Sequence, residues 1–109
     1  MSLLAIHEDT LDETLAGPLP VLVQFSAQWC GPCHMLTPTL AQIAAEQRDR
    51  LSVVMLDVDD NLAAARRFEV LSVPTLILFV DGLPTLRLVG ARGKAQLMRE
   101  LAAATGWGG

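Results

Sequence analysis

Trp29-Cys30-Gly31-Pro32-Cys33-His34 holds both cysteines of the chain, directly after an apolar run over residues 21–27 and directly before a segment with helical spacing. A Cys-x-x-Cys at the start of a helix sets the first thiol beside unpaired backbone N–H groups and the positive end of the helix dipole, which favours thiolate over thiol. The thiolate is the nucleophile of disulfide exchange. The second cysteine, one turn further in, is near enough to close a short disulfide with the first. The pair can therefore cycle between dithiol and disulfide.

Outward from this motif the chain reads as alternating strands and helices. Upstream, residues 3–6 form a short apolar strand, and residues 9–16 an amphipathic helix with Leu11 and Leu15 on one face, ended by Gly17-Pro18. Residues 20–27 are nearly continuous in Val, Leu and Phe, as a central strand covered on both faces requires, with Gln24 as the one polar interruption. Downstream, Leu36, Leu40, Ile43 and Ala44 fall at helical spacing in a segment reaching about residue 47, and Pro38 inside it predicts a kink. A buried strand is expected over 51–58, and a short helix over 61–67 capped by Asp60 or Asn61. Strands over 75–80 and 85–89 are joined through Asp81-Gly82-Leu83-Pro84 as an antiparallel hairpin. A last helix covers 94–104, and residues 106–109 form a frayed tail. The order β-α-β-α-β-α-β-β-α predicts an α/β fold with one mixed sheet and helices on both faces.

A chain of 109 residues is expected to be one domain, and a domain of this size buries roughly two-thirds of its unfolded surface, so no metal or disulfide staple is needed. Its 51% apolar residues include no uncharged run of membrane-spanning length. A net charge of −4, with eight scattered basic residues, offers no stripe for a phosphate backbone. Membranes and nucleic acids are thus not expected as partners. The start Met1-Ser2-Leu3-Leu4-Ala5-Ile6-His7 lacks the basic and apolar regions of a signal peptide, and both cysteines lie in one motif; the expected compartment is the cytoplasm.

Trp29-Cys30-Gly31-Pro32-Cys33 resembles the active-site motif of the thioredoxin family residue for residue, and Pro38 resembles that family's helix proline. Val73-Pro74-Thr75 is similar to its cis-proline segment, Asp81-Gly82 to its hairpin turn, and Val89-Gly90-Ala91 to the end of its last strand. The resemblance implies a thioredoxin-like domain over residues 1–105 and a monomeric protein-disulfide reductase. Its partners would be disulfide-containing proteins and a thioredoxin reductase, with no cofactor or metal in the chain itself. It implies that Cys30 attacks a substrate disulfide and that Cys33 resolves the mixed disulfide. It also implies a cis Val73–Pro74 bond beside the sulfurs and a substrate surface of Trp29, Gly31, Pro32, Val73, Pro74, Gly90 and Ala91, with the Val73 backbone pairing with the incoming peptide. Gly31-Pro32 between the cysteines implies a reductant rather than an oxidant.

Four positions depart from the family pattern. Gln24 and Met55 stand where the family has a buried aspartate and a neighbouring lysine. Gln24 cannot take the proton of Cys33, though it can hydrogen-bond that residue or hold a water. Resolution of the mixed disulfide is therefore expected to be slower than with an aspartate. His34 stands where lysine is common; it is expected on the solvated helix surface, the alternative being a pH-dependent field on Cys30. Ser26 stands where a second tryptophan is common, which leaves the rear of the site less filled. Gln24, Gly31, Pro32, His34 and Pro74 are accordingly the expected tuning residues.

Other readings of the same residues carry less. Cys30-Gly31-Pro32-Cys33-His34 fits the C-x-x-C-H pattern of c-type haem attachment, but the strand before it is the wrong context. Zinc or an iron–sulfur cluster would need ligands beyond two cysteines, His34 and His7, unless two chains shared a cluster. Asp57-Val58-Asp59-Asp60-Asn61 resembles the start of a calcium loop, yet Leu62 and Phe68 replace the glycine and glutamate such a loop needs. Met35, Met55 and Met98 are read as gap-filling core or rim, Trp107 as a tail residue without a role, and His7 as lacking a partner. The competing function is a non-catalytic thioredoxin-fold binding subunit docked on a partner protein.

Overall fold

The computed structural model describes residues 3–107, and Gly108 and Gly109, expected in the tail, lie outside the described residues. Five strands form one mixed sheet: β1 (Leu4–Ala5), β2 (Val21–Ser26), β3 (Ser52–Asp57), β4 (Thr75–Val80) and β5 (Leu83–Val89). Their order is β1-β3-β2-β4-β5, with β1, β3 and β2 parallel and β4 antiparallel to both of its neighbours. The helices are α1 (Leu11–Leu15), α2 (Gly31–Glu46), α3 (Leu62–Arg67) and α4 (Lys94–Thr105). This is the α/β arrangement expected.

The two-residue period of the central strands divides the core. Leu22 on β2, Val53 on β3, and Leu76 and Leu78 on β4 face α2 and α4, meeting Leu36, Leu40, Ile43, Leu97 and Leu101. Their alternates Val21, Val23, Phe25, Val54, Leu56, Ile77 and Phe79 face α1 and α3. Gln24 shares the face of Leu22 and sits in register between Met55 and Leu76. The sequence departure at Gln24 and Met55 is therefore one adjacent pair beneath α2.

Four details correct the sequence expectations. Residues 8–10 form a 3₁₀ turn before α1, and His7, expected to lack a partner, caps it by accepting the Asp9 N–H on Nδ1. The hairpin turn is two residues long: Asp81 and Gly82 both have positive φ, 53° and 78°, which suits the tight twist-matched turn, and Leu83-Pro84 already belong to β5. Pro84 is tolerated there because β5 is an edge strand. Asn61 holds the cap position of α3 without capping it; the Glu8 carboxylate takes the Ala64 N–H at 2.8 Å, while Asn61 accepts from Glu8 N and donates to Asp57 O. Gly106 and Trp107 do not fray: the Gly106 N–H bonds to Ala102 O, and Trp107 packs on the α2/α4 core beneath the Arg50 guanidinium, 4.2 Å above its ring.

Candidate active site at the start of α2

Cys30 is the N-cap of α2, with extended backbone (φ −88°, ψ 104°), and its sulfur accepts the N–H of Cys33 at 3.2 Å. That N–H is one of the donors that no helical carbonyl can reach. Gly31 and Pro32 fill the first two helical positions, and Pro32 lacks an N–H where none would be used. A sulfur in this place feels an N–H dipole directly and the sum of a 16-residue helix behind it. Both favour negative charge on Cys30 once the bridge is reduced.

Cys30 and Cys33 are joined in a disulfide, with Cα atoms 5.3 Å apart. Cys33 is wholly buried and Cys30 is 4% exposed. Solvent and a partner's sulfur thus reach the pair from the Cys30 side. Ala27 clusters with the two cysteines, and Val58 and Val73 pack against that cluster. The Val73–Pro74 bond is cis. Apart from its chain neighbours and the backbone of its own helix, no described residue comes within 4 Å of where a side chain on Gly31 would begin, so this side of the motif is open.

Gln24 is fully buried under this helix, but it does not reach Cys33 through its side chain, contrary to one expectation. Its Nε2 donates to Thr37 Oγ1 at 3.0 Å, and Thr37 Oγ1 donates to the Cys33 carbonyl at 2.9 Å, with Met55 Sδ 3.9 Å away. The reason is helical geometry: Thr37 lies one turn after Cys33 on the same face of α2, within reach of Gln24 and Met55 on the sheet. Gln24 Oε1 finds no donor among the described residues. The site thus has a hydrogen-bonded support in place of a titratable one.

The remaining expected residues divide into two groups. Val73 packs against the cluster of Ala27, Cys30 and Cys33, and Pro74 is tied to the β5 end because Gly90 N donates to Pro74 O at 2.9 Å. Gly90 has φ 95°, a conformation that turns the chain out of β5 toward the exposed Ala91. Trp29 is 71% exposed and tethered by its indole N–H, which donates to Asp59 Oδ2 at 2.8 Å. His34 is exposed, and its ring Nε2 donates to the Gln28 carbonyl at 2.6 Å. Ser26, Ala27, His34, Thr37 and Met55 are among the residues lining a cleft of about 360 Å³.

Thr37 and Asp59 were missed from sequence. Thr37 was findable from its i, i+4 relation to Cys33. Asp59 was not, since its acid cluster is explained locally by an Asx turn in which Asp57 Oδ1 accepts the N–H groups of Asp59 and Asp60. Among the described residues no helix is long and apolar enough to cross a membrane.

Comparison with known proteins agrees with the geometry. A family model described as Thioredoxin matches residues 2–103. A thioredoxin of Mycolicibacterium smegmatis is 53% identical over 100 residues, covering 89% of this chain and 89% of that protein. A thioredoxin of Mycobacterium bovis is 56% identical over 89 residues, covering 82% of this chain and 77% of its own length. A bifunctional thioredoxin reductase/thioredoxin of Mycobacterium leprae is 55% identical over 89 residues, which are 82% of this chain and 19% of that longer protein.

Proposed function

The chain belongs to the thioredoxin family, and on that premise we propose that Cys30 is the attacking and Cys33 the resolving cysteine of its thiol–disulfide exchange. The activity itself is that of a protein-disulfide reductase. In the reaction the Cys30 thiolate attacks one sulfur of a substrate disulfide, that S–S bond breaks, and a substrate thiolate leaves. Cys33 then loses its proton to water or to the departing thiolate and attacks Cys30 Sγ, releasing the second substrate thiolate. Two electrons pass to the substrate, and the Cys30–Cys33 bridge remains.

The observation that carries this reading is the Cys33 N–H donated to the Cys30 sulfur at the helix cap, with Cys33 shielded beneath. Trp29, Gly31, Pro32, Val73, Pro74, Gly90 and Ala91 form the substrate surface in this reading, with the Val73 backbone offered to an extended peptide. A thioredoxin reductase restores the dithiol, a pairing supported by the Mycobacterium leprae protein whose name joins both activities. The chain acts as a monomer in the cytoplasm, a reading supported by two cysteines confined to the motif and a net charge of −4.

A Cys33→Ser variant tests the assignment, because it removes the resolving thiol and leaves the attacking one. It should trap many proteins as mixed disulfides through Cys30, while the unaltered chain reduces insulin and does so repeatedly when a thioredoxin reductase is supplied. Capture of a single partner, without insulin reduction, would point instead to a docking subunit.

A further inference from the structure

The segment Val89–Ala91 is held from two sides. On one, Gly90 N donates to Pro74 O at 2.9 Å. On the other, Arg92 Nη2 donates to Val89 O at 2.8 Å, and Arg92 Nη1 donates to both carboxylate oxygens of Glu100 on α4, at 3.1 and 2.9 Å. The pair is largely shielded, the side chains being 16% and 26% exposed, and Arg92 Nε is buried with no acceptor among the described residues. Two charges out of water and a stranded N–H make a poor source of stability. They make a good fixture for a turn, because a planar guanidinium set by a carboxylate can hold a backbone carbonyl in only one orientation.

What the fixture leaves free is the outer backbone of the turn. Among the described residues, no hydrogen bond within the chain engages Gly90 O, Ala91 N or Ala91 O, and Ala91 is exposed. These groups stand beside the cis Val73–Pro74 segment, to which Gly90 is hydrogen-bonded and whose Val73 packs against the cluster of Ala27, Cys30 and Cys33. We propose that the Arg92–Glu100 pair holds the Val89–Ala91 turn in the shape that receives the backbone of a protein substrate, making Arg92 and Glu100 positioning residues for protein disulfides. This rests on the substrate surface given under Proposed function. A small disulfide, which has no peptide backbone to seat there, does not depend on the pair.

The test compares insulin with a small aromatic disulfide as substrates for the unaltered chain, Arg92→Met, Arg92→Lys, and the double variant Arg92→Met with Glu100→Leu. Arg92→Met should raise KM for insulin about tenfold at unchanged kcat, the pattern of lost binding rather than lost chemistry, and leave small-disulfide exchange and the midpoint potential in place. Arg92→Lys should not rescue it, since lysine cannot hold Glu100 and the Val89 carbonyl in one plane. The double variant separates positioning from stability, because apolar partners of similar volume restore the fold where a broken pair does not. Its denaturation midpoint should return to the original value while KM for insulin stays high. Recovery of KM together with the midpoint, or equal losses on both substrates, overturns the proposal. If the unaltered chain exchanges with neither substrate, the catalytic reading falls and this one falls with it.

Discussion

Replacing Gln24 by leucine should stabilise the fold. Gln24 Oε1 is buried without a donor among the described residues, and a stranded buried polar group costs roughly 1–3 kcal/mol. Against this stands one hydrogen bond, Nε2 to Thr37 Oγ1 at 3.0 Å, worth about 0.5–1.5 kcal/mol net. Losing that bond strands nothing, since Thr37 keeps the Cys33 carbonyl at 2.9 Å, and leucine would sit in register beside Leu76 and Met55. The balance favours leucine by about 1 kcal/mol, or roughly 4–8 °C in the melting temperature of a domain this size. Thermal and urea unfolding of the oxidised chain measure it. An equal or lower midpoint would refute the reasoning, showing that Oε1 is satisfied in solution and that the Thr37 bond carries the position. Aspartate at the same site separates stability from chemistry. Burial raises its folded pKa, so the native state binds the proton more tightly than the unfolded one, and stability should fall as pH rises above about 3.9, the ordinary aspartate value. Where it is ionised it can accept the Cys33 proton, and mixed-disulfide resolution followed by stopped flow should quicken by about 10²-fold or more. An unchanged rate would remove the missing base from the explanation.

Two further outcomes follow from other parts of the fold. Trp107→Ala should cost about 1–2 kcal/mol in urea unfolding, through lost packing on the α2/α4 core and the lost Arg50 contact; a change near zero would return residue 107 to the tail. Lys94 holds the Glu46 carboxyl below its ordinary value of 4.5, chiefly by a direct hydrogen bond. Because the folded pKa is the lower one, the stabilisation is fully present above 4.5 and is lost as pH falls through the folded value beneath it. Lys94→Met should therefore flatten the acid limb of the stability profile below pH 4.5 and leave its shape above that pH unchanged.

The sheet was legible because its strands are written as runs of Val, Leu, Ile and Phe, and the hairpin because Asp81-Gly82 names its own turn. The site was legible because both cysteines open a helix. Side-chain partners formed across the fold were harder to read. Glu8 reaches Ala64 over 56 positions and Trp29 reaches Asp59 over 30, and no local spacing announces either contact. Trp107 was misjudged for a related reason: flanking glycines suggested fraying, whereas the ring has an arginine and a core face waiting for it in three dimensions. Gln24 lay in between. Its burial followed from the strand pattern, but its choice of Thr37 over the cysteine depended on where α2 sits above the sheet.

The ionisation of Cys30 in the reduced Cys33→Ser protein, followed by thiolate ultraviolet absorbance against pH, tests the central claim most directly. The Cys33-position N–H is a backbone group and survives the substitution, so the cap remains in place. Cys30 should ionise below the value of about 8.5 shown by a free thiol. Ionisation at or above that value would contradict a thiolate held by the start of α2, and with it the assignment of Cys30 as the attacking sulfur.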